Sequence, residues 1–79
     1  MNINKAFALR LSKILSERNI SKYKLEKDSG LSHAAFRNIF NEVNSDLRLS
    51  TIIKIVDCLN MDLATFFDDK VFNLEGLDY

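Results

Sequence analysis

His33, Ala34, Arg37 and Asn38 are spaced so that an α-helix gathers them along one stripe. The residues between and after them, Ala35, Phe36, Ile39 and Phe40, fall on the other side and suit a packed face. The stripe carries a definite chemistry. An Asn amide can bond the N6 and N7 edge of adenine with two hydrogen bonds, an Arg fork matches O6 and N7 of guanine, and a methyl group can touch thymine. His33 stands at the start of the helix, whose first few residues can reach base edges. Ala34 serves packing as readily as readout, and Arg37 suits a phosphate as well as a base.

Other chemistries find little support. His33 and Cys58 are the single histidine and the single cysteine, too few for the usual metal site or a disulfide framework. Asp68 and Asp69 read as solvated acids closing a helix, and Cys58 as a small core residue. No Ser/His/Asp or Cys/His set occurs at a useful spacing, so neither an enzyme nor a cofactor nor a small-molecule substrate is expected. No apolar run approaches the ~20 residues that span a bilayer. The segment Met1-Asn2-Ile3-Asn4-Lys5 lacks the apolar core of a signal peptide, so a cytoplasmic chain with no membrane partner is expected.

Helices must position the stripe. Ile3, Phe7, Leu11, Ile14 and Leu15 recur at steps of three and four, predicting an amphipathic helix from about Asn4 to Arg18. Ser21 is a good N-cap for a short helix from Lys22 to Asp28, and Gly30 supplies the positive φ of a tight exit. Ser32 then caps a helix from His33 to about Asn41. After a polar loop, Ser50 is the cap expected for a fourth helix. There Ile52, Ile53, Ile55, Val56 and Leu59 cover most of the circumference and predict a central, buried element. Asp62 caps a fifth, anchored by Leu63, Phe66 and Phe67. With no Pro and two Gly among 79 residues, a turn-rich sheet is disfavoured and an all-α domain is expected.

A formal net charge of zero hides a strong asymmetry. Residues 1–56 are net +5 and residues 57–79 net −5, a pattern that suits one end meeting a polyanion. Lys22 and Lys24 stand in the first turn of the second helix, where the macrodipole disfavours cations by about 0.3–1 kcal/mol each. A phosphate docked on that helix end would turn the misplacement into an asset, and Arg48 is similarly set before the fourth helix.

Two short helices joined by a tight Gly turn, the second polar on one side, form the helix-turn-helix pattern. Residues 21–41 and 48–67 together resemble the DNA-binding domain of the lambda repressor/Cro-like (XRE) family, a likeness that extends over about residues 5–68. The resemblance implies a compact five-helix fold whose third helix reads the major groove, working as a homodimer on a near-palindromic operator. It places base-reading sites on His33, Ala34 and Asn38, with Arg37 alongside. It places backbone-gripping sites on Lys22, the loop from Asn41 to Asn44, and Arg48, beside which Lys24 is a further phosphate candidate. The chain departs from the family pattern at Glu26, where a small residue is usual, which predicts looser packing of helix two on helix three. Phe40 replaces an acid that would pair with position 10, leaving Arg10 for solvent or phosphate. Glu42 and Val43 replace a Gly and a Lys, and Leu47 a proline, so weakened DNA affinity is expected.

The expected organisation is a DNA-binding domain over residues 1–68 and a tail over 69–79. Phe72, Leu74, Leu77 and Tyr79 lie beyond a core that Leu59, Leu63, Phe66 and Phe67 already fill, which makes the tail the expected dimerisation segment. The first functional reading is a sequence-specific, double-stranded DNA-binding regulator, most simply a repressor. The alternative is a protein-interaction module on the same fold, such as an antitoxin or a phage accessory factor, with DNA binding secondary. Neutral net charge and the Glu42/Val43 loop favour the second; Lys22, Arg37, Asn38 and Arg48 favour the first.

Overall fold

The computed structural model describes residues 1–41 and 47–78. Among these the helices are α1 (Ile3–Arg18), α2 (Lys22–Ser29), α3 (His33–Ile39), α4 (Leu49–Cys58) and α5 (Leu63–Phe67), followed by 3-10 turns at Lys70–Phe72 and Leu74–Gly76. No strand occurs among the described residues, so the domain is all-α as expected.

Local chemistry sets most helix ends. Asn2, Ser21, Ser32 and Asp62 each have extended backbone and accept a hydrogen bond from the N–H three residues on. Asn19 ends α1 in the left-handed conformation at φ 56°, and Gly30 ends α2 at φ 73°. The fourth helix departs from the expectation. Ser50 lies inside it, and the N-cap is Arg48, whose side chain makes no capping bond. Capping follows the residue with extended backbone, here Arg48 at φ −73° and ψ 143°, and Ser50 is already helical.

The core forms where α1 meets the other elements. Phe7, Leu11, Ile14, Leu15, Leu25, Phe36, Ile39, Ile55, Val56, Leu59 and Phe66 are buried in one cluster. Helix α2 packs on α4, α1 on α3, and α5 on α4. Helix α4 is not buried all round: Ile55 and Val56 face the core, Ile52 is half-buried, and Leu49 and Ile53 are exposed. A ten-residue helix at the edge of so small a domain has elements to cover only one of its sides. Likewise Phe66 alone is the buried anchor of α5, while Leu63 and Phe67 remain exposed.

The C-terminal region corrects two expectations. Phe72 does not extend away from the core; its ring lies 4.7 Å from Phe67 and 6.2 Å from Phe66, centroid to centroid. Leu77 is buried as well, and the Asp78 N–H donates to the Met1 carbonyl at 2.8 Å. The first 3-10 turn packs on α1. The short α5 leaves the Phe66–Phe67 surface open, and the tail covers it in part, burying Phe66 while Phe67 keeps 36% exposure. Of the four tail residues, Leu74 remains exposed, and Tyr79 lies outside the described residues. Arg10 is also not free. Its Nε donates to the Phe66 carbonyl at 2.7 Å, its Nη2 to that of Thr65 at 3.1 Å, and its Nη1 lies 3.4 Å from Asp69 Oδ2. Asp69 thus supplies the acid that Phe40 cannot, and the guanidinium neutralises the carbonyl end of α5.

Candidate nucleic-acid interface

Helix α3 is held from beneath and at its start. Phe36 and Ile39 anchor it in the core, and the Phe36 ring packs 5.6 Å from Phe40. The Ser32 hydroxyl accepts from the Ala35 N–H at 3.1 Å, fixing the first turn. With those positions inward, His33, Ala34, Arg37 and Asn38 are all exposed, and Ala35 is half-buried as expected. The turn before α3 is fixed too, because Ser29 Oγ donates to the Glu26 carbonyl at 2.9 Å and accepts from the Leu31 N–H at 3.3 Å.

The start of α2 borders the same surface. Lys22, Glu26, Ala34, Arg37, Asn38 and Asn41 line an open groove of about 680 Å³ whose apolar wall is Phe36 and Phe40. The Lys22 ammonium lies 4.1 Å from the Phe40 ring centroid, so a cation–π contact holds the charge at the rim of the groove. Three candidate base-readers and two candidate phosphate-binding residues, Lys22 and Asn41, are thereby brought together, with His33 at the head of α3. Arg48 is exposed at the N-terminus of α4. Lys24 behaves differently. Its Nζ lies 2.8 Å from Asp28 Oδ2, one turn on, and this pairing holds the ammonium above its ordinary pKa. A lysine so paired offers a polyanion less than its charge suggests. Asn44, and with it the Glu42/Val43 part of the loop, lies outside the described residues.

One contact was not foreseen from sequence. Glu26 Oε1 lies 3.0 Å from His33 Nδ1, bridging α2 to the first residue of α3. The substitution expected to loosen the helix pair instead ties it. The two residues stand across a turn, where helical periodicity gives no register, so only the excess of polar residues around Gly30 hinted at them. Among the described residues no cluster of three or more His, Cys, Asp or Glu could hold a metal, and no helix is long and apolar enough to cross a membrane.

Two capped helices set at a left-handed glycine, the second anchored by aromatic residues and polar outward, define a helix-turn-helix domain. The family model for the Cro/C1-type helix-turn-helix DNA-binding domain matches residues 10–70, and the chain belongs to that family. The crystal structure of the prophage Lp1 protein 11 is similar in fold, with a TM-score of 0.83 and 17% sequence identity. That match covers 94% of this chain and 100% of the other, and at such identity the likeness is one of fold alone. No curated protein matches the chain.

Proposed function

We propose that this DNA-binding domain is a sequence-specific transcriptional regulator that reads the major groove with α3 and represses by occluding a promoter. The observation that carries the reading is the division of α3: Phe36 and Ile39 locked in the core, His33, Ala34, Arg37 and Asn38 exposed. A helix so divided presents base-reading groups at a fixed orientation, and phosphate contacts set its register. Lys22, Asn41 and Arg48 take that second role, with Lys24 a weaker contributor because of Asp28. The domain works without catalysis, as a homodimer on a near-palindromic operator, because one reading helix per copy covers one half-site.

Selection from a random duplex library, followed by anisotropy titration of the winner and a scrambled control at several salt concentrations, tests this reading. Enrichment of a two-fold symmetric site bound at least about 10³ times more tightly than the control is expected. Equal affinity for both would sink it. The competing reading, a protein-interaction module with secondary DNA binding, is favoured by Glu26 beside the reading stripe and by the Lys24–Asp28 pair, which both reduce the attraction for phosphate.

A further inference from the structure

A carboxylate among groups that face a polyanion is electrostatically misplaced unless it acts on a neighbour. Glu26 has such a neighbour. Its Oε1 lies 3.0 Å from His33 Nδ1, and its side chain is 25% exposed against 71% for the imidazole. The acid is thus the sheltered member and the ring the presented one. A carboxylate accepts hydrogen bonds and donates none, so the nitrogen facing it carries the hydrogen. In the neutral ring this leaves Nε2, on the far edge, as a bare acceptor.

We propose that Glu26 is a positioning residue that sets the tautomer of His33 and, through it, the class of base His33 reads. The inference rests on the reading that α3 enters the major groove. An Nε2 acceptor matches an amino donor on the base edge, N4 of cytosine or N6 of adenine. Thymine and guanine present only acceptors at the corresponding positions, O4, O6 and N7, and an Nε2 lone pair is repelled by them. Without Glu26 the ring is free to take the Nε2–H tautomer, which donates, and the preference inverts toward guanine and thymine. The acid thereby contributes specificity at some cost in general affinity. His33 stands at the first position of α3, and its ring, 71% exposed, is held to α2 through Nδ1, which leaves the opposite edge for a base.

Two measurements test the assignment on the full chain. Long-range ¹⁵N–¹H correlation spectra without DNA, taken at alkaline pH where the spectra themselves show the ring to be neutral, report the tautomer directly. Protonated Nδ1 and bare Nε2 are expected in the parent chain, and the reverse in Glu26→Ala. Protonated Nε2 in the parent chain would overturn the proposal whatever the DNA result. The second measurement is selection from a random duplex library with the parent chain, Glu26→Ala, Glu26→Gln, His33→Ala and the Glu26→Ala/His33→Ala double variant. The parent should prefer cytosine or adenine at one base pair per half-site by about fivefold, the scale of a single hydrogen bond. Glu26→Ala should move that position toward guanine or thymine. Glu26→Gln, which keeps an acceptor oxygen at the same reach, should restore part of the preference. His33→Ala should abolish it, with no further change in the double variant. An unaltered preference in Glu26→Ala overturns this proposal and leaves the groove reading standing, whereas a parent chain that enriches no sequence overturns the groove reading itself.

Discussion

At the scale of single residues, the proposed interface predicts two separable groups, one that specifies and one that holds. Asn38 stands on the exposed side of α3 and can bond adenine through two atoms. Asn38→Ala should therefore cost about 1–3 kcal/mol on the selected site, relax the preference at one base pair, and leave scrambled duplex nearly unaffected. Lys22→Ala and Arg48→Ala should weaken binding to every duplex and reduce the salt slope by about one counterion each. Lys24→Ala is the informative control. With its ammonium 2.8 Å from Asp28, it should change the slope by distinctly less than Lys22→Ala does. Salt-dependent anisotropy on matched and scrambled duplexes separates these outcomes, and equal slopes for the two lysine variants would show that the Asp28 pair opens on binding. The stripe itself was legible because helical periodicity separates Arg37 and Asn38 from Phe36 and Ile39 without tertiary information. The Lys24–Asp28 pair was equally open to an i,i+4 reading. The Glu26–His33 contact was not, because the path of the chain through Gly30 decides it.

At the scale of elements, capping was the most readable feature, since it depends on three or four consecutive residues. Ser21, Ser32 and Asp62 cap where the sequence places caps. Helix α4 departs from the sequence expectation at its start, where backbone conformation and not the nearest serine sets the cap, and in its burial, because a run of β-branched residues does not reveal which sides have neighbours. The junction of α1, α5 and the tail was invisible for a related reason: Asp69 meets Arg10 across 59 residues. That junction has a pH signature. The Val71 N–H donating to Asp69 Oδ1 at 2.9 Å, helped by Lys13 and Arg10, holds the Asp69 carboxyl below the usual carboxylate range despite partial burial. Its capping bonds to Thr65 hold Asp62 low in the same way. A carboxyl depressed in the folded state contributes stability above the unfolded value near pH 3.9, and that contribution is lost as pH falls through the folded value. Asp69→Asn should accordingly melt below the parent chain at pH 7, and the gap should close toward pH 2. Thermal melts by circular dichroism at the two pH values check this; a constant gap would mean that Asp69 acts by hydrogen bonding alone.

At the scale of the whole molecule, the proposed homodimer poses the question of which surface would join two copies. The principal extents are 34 × 24 × 20 Å, so two copies in contact place their centres about 20 to 34 Å apart according to the axis along which they meet, against half-sites about 34–36 Å apart. The proposed homodimer therefore needs a contact that leaves each α3 displaced outward from the dimer axis. The tail is poorly placed to join them. Phe72 and Leu77 are spent on the chain's own core, which leaves Leu74 as the exposed apolar residue among the described residues of the tail. Leu49 and Ile53 on α4 and Leu63 on α5 offer more apolar surface, at 66%, 45% and 41% exposure. Lys54 and Asp57 on α4 and Asp62, the cap of α5, are exposed beside them, and a lysine of one copy can pair with an acid of the other across a two-fold axis. Truncation after Asp69 cannot decide between the two surfaces, because it strips Phe72 from Phe66 and Phe67 and destabilises the monomer as well. Point charges on exposed positions can. Ile53→Glu should halve the mass seen by light scattering and weaken operator binding while leaving the helical circular dichroism intact, and Leu74→Glu should remain dimeric. The opposite pattern would return dimerisation to the tail, and a parent chain that is monomeric both free and on its operator would remove the dimer from the proposed function.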